Sequence, residues 1–353
     1  MNALTQMYTV TIDGIETTVT ADETILSAAA KLGKEIPTLC HDPRLEPTAS
    51  CRMCLVEVEG QRRLAPACKM TMGQGAVITT NNDRITKHRD LLTAMYQADT
   101  VGDHDHPCTH ENELKSVVTP YRFPKTAPPR TGRVDANPYI HFDPDDCILC
   151  GRCVRYCDEV EGVNAIDLVG RGAETTIGTG ANKGLLDTSC ELCGGCIDTC
   201  PTGAMREKAP LEVKTTVTPT LTRTTCNYCG VGCQFDLVVA DGKVAKVQSP
   251  PPGTTLNDGN LCVKGRFATN FINHEDRLTT PMIRDAQGTL QPASWEEALN
   301  ACAKGLMDVR DKHGKDSLAF VSSSRCTGEE NYLMQKLARA AFGTNNCHQC
   351  AAT

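Results

Sequence analysis

The stretch CILCGRCVRYC, residues 147–157, and its echo CELCGGCIDTCP, residues 190–201, decide how the chain is built. Each reads Cys-x2-Cys-x2-Cys-x3-Cys. Cys147, Cys150, Cys153 and Cys157 form the first run; after thirty-two residues come Cys190, Cys193, Cys196 and Cys200, with Pro201 closing the second. Short Cys-x2-Cys turns let one loop present several thiolates to one centre, and an iron–sulfur cubane takes four such soft ligands. Zinc and disulfides are the plain alternatives. Zinc sites rarely carry four cysteines in one run of this kind, and two copies ending in Cys-Pro favour clusters.

The doubled run resembles the two-cluster ferredoxins, in which the fourth cysteine of each run ligates the other cluster. The resemblance implies one [4Fe-4S] cluster on Cys147, Cys150, Cys153 and Cys200. It implies a second on Cys157, Cys190, Cys193 and Cys196. VRYCDEVEG (154–162) predicts a short helix after the first loop, and IDLVGRG (166–172) and TTIGTG (175–180) predict strands bounded by glycines. Residues 137–212 as a whole resemble the domain that joins a [2Fe-2S] unit to the catalytic part in hydrogenases and formate dehydrogenases. Arg152, Arg155 and Lys183 read either as ordinary surface charges or, for an arginine near a cluster, as a cation that raises its potential; the sequence does not weigh the two.

The rest of the composition fits metal ligation. Twenty-one cysteines in 353 residues, with no hydrophobic leader and no apolar run long enough for a membrane, predict ligands in a reducing, cytoplasmic compartment. A net charge of −7 without acidic or basic blocks argues against a nucleic-acid partner. The length alone suggests two or three domains, and the cysteine pattern suggests more, because metal can replace a large core in a small domain.

Residues 1–82 predict a hairpin, MYTVTIDGIETTVT (7–20), turning at Asp13-Gly14, then a helix in TILSAAAKLGKEI (24–36). Hairpin, helix and cysteine loop is a β-grasp order. The loop reads Cys40-x10-Cys51-x2-Cys54-x13-Cys68 within PTLCHDPRLEPTASCRMCLVEVEG. This resembles the N-terminal [2Fe-2S] domain of complex I large subunits, [FeFe]-hydrogenases and NAD-linked formate dehydrogenases, and implies Cys40, Cys51, Cys54 and Cys68 as ligands. Thr48, Ala49 and Ser50 are small enough for backbone amides to approach the sulfurs.

In residues 83–136, KHRDLLTAMYQA (87–98) predicts an amphipathic helix with Leu91, Leu92, Met95 and Tyr96 inward. The same families often place a His-ligated [4Fe-4S] cluster next. Here His104, His106 and His110 stand with Cys108 alone, so the expectation is a degenerate segment, with another metal site on these four as the alternative. The Pro-rich 119–138 predicts an extended linker.

Residues 219–275 carry a fourth set, Cys226-x2-Cys229-x3-Cys233-x28-Cys262, with a hairpin predicted around Asp241-Gly242. Its ending, LCVKGRF (261–267), resembles the N-terminal [4Fe-4S] domain of the molybdenum/tungsten bis-pterin oxidoreductases. That resemblance places Lys264 between cluster and pterin, as a relay and cofactor-binding residue. In residues 276–353, helices at SWEEALNACAKGLMDVRDKHG (294–314) and GEENYLMQKLARAAFGTNN (328–346) flank a strand in SLAFVSSSRC (317–326), the opening of an α/β unit. Cys302, on the amphipathic helix, is expected to be packed, Cys326 after the strand to be structural, and Cys347 with Cys350 to be at most a weak metal pair.

The expectation is therefore an α+β multi-domain iron–sulfur protein: a β-grasp [2Fe-2S] domain, a two-cluster ferredoxin domain, a [4Fe-4S] domain of the molybdenum oxidoreductase type, and the start of an α/β pterin-binding domain. SSSRCTGEENYLMQKLARAAFGTNN (322–346) resembles the formate dehydrogenase α subunit. The family implies a Mo- or W-bis(pterin guanine dinucleotide), formate and CO2 as substrates, and a flavin NAD-reducing subunit or hydrogenase module as partner. Related sequences place a cysteine or selenocysteine metal ligand at the point just after Thr353. The expectation is a front half, ended by UGA read as stop and inactive on formate alone. The alternative is a non-catalytic electron-transfer subunit resembling the complex I large subunit.

Overall fold

Asp13 and Gly14 both take positive φ, 47° and 80°, which makes the tight turn that joins β1 (Met7–Ile12) to β2 (Ile15–Thr20). The same device, Asp241 at 50° and Gly242 at 73°, makes a second hairpin much later in the chain. The computed structural model describes residues 6–100, 119–124, 130, 135–208 and 218–350, in two units, Met1–Ala209 and Pro210–Thr353. His104, His106, Cys108 and His110 lie outside the described residues.

In the first unit, α1 (Ile25–Lys31) starts at Thr24, whose hydroxyl accepts the Ser27 amide at 3.2 Å. Strands β3 (Leu55–Val58), β4 (Ala65–Pro66) and β5 (Val77–Thr79) complete a mixed sheet of order β2-β1-β5-β3-β4, in which β1 and β5 run parallel. Val10, Ile12, Val19, Ile25, Val56 and Ile78 fill its core against α1, and Cys54 and Cys68 belong to the same core. Burying each such side chain contributes about 1.5–3 kcal/mol.

Helix α2 (Asp83–Asp99) follows, capped by Asn82. Its inner face differs from the sequence expectation. Leu92 and Tyr96 pack inward, but Leu91 is 38% and Met95 55% exposed, and Ile85 and Thr93 are buried in their place. The helix lies against the cysteine loop rather than on the sheet core, and this narrows the stripe.

Next, β6 (Ile140–Phe142) precedes the first cysteine run, α3 (Arg152–Arg155) and a π-helical turn, Tyr156–Val160, carry its end, and β7 (Asp167–Val169) pairs with β8 (Thr176–Gly178) between the runs. Helix α4 (Gly195–Asp198) and β9 (Met205–Glu207) close the module.

In the second unit, β10 (Thr220–Thr225), β11 (Gln234–Ala240) and β12 (Lys243–Gln248) form an antiparallel sheet in that order. The short α5 (Val263–Phe267) packs on it, and β13 (Met282–Arg284) pairs with β14 (Leu290–Pro292). Helix α6 (Trp295–His313) begins in a capping box of Ser294 and Glu297. Then β15 (Phe320–Ser323), α7 (Gly328–Lys336) and β16 (Cys347–Cys350) make a parallel β-α-β unit around Leu318, Phe320, Ala338 and Phe342. Cys302, expected to be packed, is exposed, because no residue of α6 is buried.

Candidate metal centres

Three antiparallel residue pairs between β6 and β9 (Ile140–Glu207, His141–Arg206 and Phe142–Met205) explain much of the central site. They bring the start of the first cysteine run beside the end of the second. Cys147, Cys150, Cys153 and Cys200 consequently line one cavity. Cys157, Cys190, Cys193 and Cys196 line another of about 350 Å3, together with Cys153. Each cavity thus draws three cysteines of one run and the last cysteine of the other, and Cys153 lines both. The backbone repeats with the sequence: Leu149 and Leu192 take φ of 55° and 54°, and Gly151 and Gly194 take 72° and 76°. These left-handed residues curl each loop inward, and glycine enters that region without strain.

Backbone amides point at the thiols. Leu149 donates to Cys147 Sγ at 3.4 Å, Leu192 to Cys190 at 3.4 Å, Gly195 to Cys193 at 3.4 Å, Ala165 to Cys157 at 3.2 Å and Met205 to Cys200 at 3.4 Å. Such bonds stabilise a negative sulfur. Against them, burial pushes the Cys147 thiol up to about 12 and Cys150 to about 11, and holds Cys153 well above its usual range. A thiol that burial keeps protonated needs a metal or another cation beside it to ionise, so this donor set suits a soft, multi-iron group.

Cys40, Cys51, Cys54 and Cys68 are all buried. The hydrogen bond from Cys51 holds the Cys40 thiol well below its usual range and pushes Cys51 up; Cys68 and Cys54 are related in the same way. Ala49 and Arg52, at φ 55° and 62°, turn the loop so that the Cys51 amide reaches Cys40 Sγ at 3.5 Å. Cys40 and Cys51 share an apolar cluster with Leu39, Met53 and Ile148, and Cys150 packs against it. The first set therefore adjoins the Cys147 set.

A charged seam joins these two sites. Arg152 Nε donates to the His41 carbonyl at 2.9 Å, and Arg155 donates to the Cys40 carbonyl and to Glu46 O at 2.7 Å. Glu159 accepts the Glu46 amide at 2.7 Å. The buried Arg44 pairs with Asp42 at 2.8 Å and Asp198 at 3.4 Å, and lies over the Tyr156 ring at 5.0 Å. His41 is held below its usual range by burial first and by the Arg152 charge second. Arg152 and Arg155 are therefore not ordinary surface charges, whereas Lys183 is exposed. Arg130, from the Pro-rich linker, is also buried, and donates to Cys147 O at 2.6 Å and Asp99 at 2.7 Å. No local signal marks these residues, since the Arg155–Cys40 bond spans 115 positions.

In the second unit, Cys226 and Cys233 pack beside Phe235, Val247 and Leu261, while Cys229 and Cys262 are exposed. The Cys226 amide donates to Cys233 O at 2.7 Å and closes the loop. Gly265 sits where a Cβ would come 3.6 Å from Cys226 Sγ, so α5 abuts the site. The two cations of VKGRF diverge: Arg266 is buried and donates to Ser249 Oγ at 2.9 Å, while Lys264 faces outward. Tyr228 donates to Ala268 O and lies under Arg325 at 5.8 Å.

Every cysteine of the four sets is a free thiol. Among the described residues no three or more His, Cys, Asp or Glu close around one metal ion. Among the described residues, no helix is long and apolar enough to cross a membrane.

Four family models match the chain: a 2Fe-2S iron–sulfur cluster binding domain over residues 5–83, the ferredoxin-like domain of NADH-quinone oxidoreductase subunit 3 over 137–206, a molybdopterin oxidoreductase Fe4S4 domain over 219–274, and molybdopterin oxidoreductase over 277–353. Among curated relatives, the NADPH-Fe(3+) oxidoreductase subunit alpha of Geobacter sulfurreducens is 38% identical, over 96% of this chain and 40% of its own length. An NADH-quinone oxidoreductase subunit of Rhizobium meliloti is 38% identical with the same coverage. A Staphylococcus haemolyticus protein provisionally named formate dehydrogenase is 30% identical, over 97% of this chain and 39% of its own. The chain thus spans about 40% of the length of the relatives it matches. A crystal structure of an NAD+-reducing [NiFe]-hydrogenase in the H2-reduced state aligns with a TM-score of 0.50 at 28% identity, covering 59% of this chain and 90% of that one.

Proposed function

We propose, from the matches of residues 219–274 and 277–353 to molybdopterin oxidoreductase models and of residues 5–83 and 137–206 to 2Fe-2S and ferredoxin-like models, that the chain belongs to the molybdopterin oxidoreductase family and is the electron-transfer part of a formate dehydrogenase α subunit. In this reading Cys40, Cys51, Cys54 and Cys68 hold a [2Fe-2S] cluster. Cys147, Cys150, Cys153 and Cys200 hold one [4Fe-4S] cluster, Cys157, Cys190, Cys193 and Cys196 a second, and Cys226, Cys229, Cys233 and Cys262 a third. The observation that carries it is the exchange of the fourth cysteine between the two central cavities.

When bound, the clusters supply one-electron storage and transfer. The chain does the rest. Amides directed at Cys147, Cys157, Cys190, Cys193 and Cys200 steady the thiolates, burial keeps water from the Cys40 and Cys147 sets, and the arginine seam fixes the one against the other. Lys264, outward on α5 beside Gly265, is the residue that faces a pterin. A Mo- or W-bis(pterin guanine dinucleotide), formate, a cytoplasmic setting and a flavin NAD-reducing or hydrogenase partner complete the proposal. The hydrogenase alignment and the NAD(P)H-linked names of two relatives support the partner.

A second reading, an electron-transfer subunit serving NAD(P)H oxidation without chemistry on formate, is favoured by the higher identity to those two relatives, 38% against 30%. Anaerobic reconstitution of the chain, followed by iron and sulfide analysis and EPR, tests the cluster assignment. One [2Fe-2S] and three [4Fe-4S] signals are expected; zinc loading or fewer clusters would refute it. Formate-dependent against NADH-dependent dye reduction in the full-length enzyme separates the two readings.

A further inference from the structure

We infer that Arg155 is a positioning residue that clamps the Cys40 loop onto the two-run module and raises the reduction potential of the centre at Cys40, Cys51, Cys54 and Cys68. The inference rests on the reading of those four cysteines as [2Fe-2S] ligands and deepens it.

The geometry is specific. One guanidinium donates both to the carbonyl of Cys40, a ligand position, and to that of Glu46 at 2.7 Å, six residues on. Arg152, one helical turn earlier on α3, takes the carbonyl of His41 at 2.9 Å. Two cations of the ferredoxin module therefore bond three carbonyls of a loop that also carries a cluster ligand. Both are half-buried. The Arg155 contacts are to neutral carbonyls, while Asp42 and Asp198 face Arg44. The carboxylate that reaches the loop amides, Glu159, is exposed and bonds the Glu46 amide at 2.7 Å. The direct contact at the Cys40 carbonyl is with a cation. Reducing a cluster adds one negative charge, which a nearby cation stabilises and a nearby anion disfavours. The reaction concerned is that one-electron reduction, with the reductant of the titration as donor; no proton moves and no covalent bond changes.

The opposite charges on one loop make the test. EPR-monitored redox titration of the [2Fe-2S] signal is run on the reconstituted full chain and its variants. Arg155→Gln is expected to lower the midpoint by about tenfold in the reduction equilibrium, ~59 mV for one electron. Glu159→Gln, which keeps an acceptor for the Glu46 amide, is expected to raise it, by less, since its charge is exposed. Arg155→Lys keeps the charge and loses the fork, so most of the potential is retained. A merely structural clamp would move Arg155→Gln and Glu159→Gln in the same direction, and that result would overturn the inference. So would an unmoved Arg155→Gln, or an Arg155→Lys shifted as far as Arg155→Gln. Should Arg155→Gln fail to hold its clusters, Glu159→Gln still decides by sign: a raised midpoint beside a nearly unmoved Arg155→Lys supports the inference, and a lowered or unmoved midpoint in Glu159→Gln overturns it. An unsubstituted chain with no [2Fe-2S] signal would instead overturn the ligand assignment, and this inference with it.

Discussion

Gly195 lies between Cys193 and Cys196, and it has no room for a side chain. A Cβ built there would stand 1.9 Å from Cε1 of Tyr156 and 2.5 Å from both Cδ1 and Cζ. Tyr156 is 1% exposed, so its ring cannot swing into solvent without leaving the core. Overpacking by one methyl costs about 1–3 kcal/mol when neighbours give way by small shifts. Here the ring itself must move, and losing its burial sets the cost at the upper end, about 3 kcal/mol. At about 2–4 °C per kcal/mol for a unit of this size, Gly195→Ala should lower the midpoint of unfolding by roughly 6–12 °C. Because Tyr156 precedes Cys157, a ligand of the same centre as Cys193 and Cys196 in this reading, iron content should fall too. The assay is thermal unfolding of the anaerobic holoprotein with parallel iron analysis. Gly305→Ala is the control: it is helical, has nothing within 4 Å and should stabilise by about 0.5–1 kcal/mol. Tyr156→Leu in the Gly195→Ala background should recover part of the loss. A Gly195→Ala protein with unchanged midpoint and full iron would refute the reasoning.

Two more outcomes are expected. Arg44→Gln should destabilise the first unit by about 3–5 kcal/mol, because Asp42 and Asp198, with side chains only 6% and 11% exposed, would be left buried without their cation. Burial alone pushes the Asp42 carboxyl up, but Arg44 more than reverses this and holds it below the usual range. Its contribution is thus complete above about pH 4 and lost on acidification through the folded pKa. In Arg44→Gln, where only the Arg152 charge still opposes burial, the Asp42 carboxyl should lie above its usual range, so the variant should regain part of the lost stability as pH falls. Stability profiles from about pH 7 down to pH 5 read this directly, with the unsubstituted protein flat as far as this group is concerned. Cys157→Ser should disturb the centre of the second run rather than that of its own; a Mössbauer or EPR spectrum in which only the Cys147 centre changes would contradict the exchanged ligand sets.

The four cysteine sets were legible because ligand chemistry is local. Spacing marked the cysteine runs and the resemblance to two-cluster ferredoxins implied the exchanged sets, while Asp13-Gly14 and Asp241-Gly242 announced their hairpins because only a few residue types accept positive φ. What failed was what depends on a distant partner. Leu91 and Met95 have the apolar character of Leu92 and Tyr96, and only the cysteine loop lying against α2 decides which pair is covered. Cys302 looked packed because α6 is amphipathic, yet no residue of that helix is buried among the described residues. Arg155 and Lys183 are indistinguishable as letters; one bonds a carbonyl 115 positions away and the other meets solvent.

That division has a physical consequence for how the sites act together. The Cys40 and Cys147 sets are joined by an apolar cluster that draws Leu39, Met53 and Ile148 from both sides, and by arginines that bond backbone carbonyls rather than acidic side chains. Carbonyls have no charge to lose on protonation, so this part of the seam holds its strength across pH; the Arg44 contacts to Asp42 and Asp198 and the Glu159 contact to the Glu46 amide are the titratable part of the seam as described. The geometry between the two centres is therefore set by contacts that neither proton nor salt readily weakens, since half-buried bonds are poorly screened. A relay needs that constancy, because electron transfer depends on a fixed separation. The amide bonds and charges around each sulfur remain free to differ, and it is there that one centre can be tuned without moving the next.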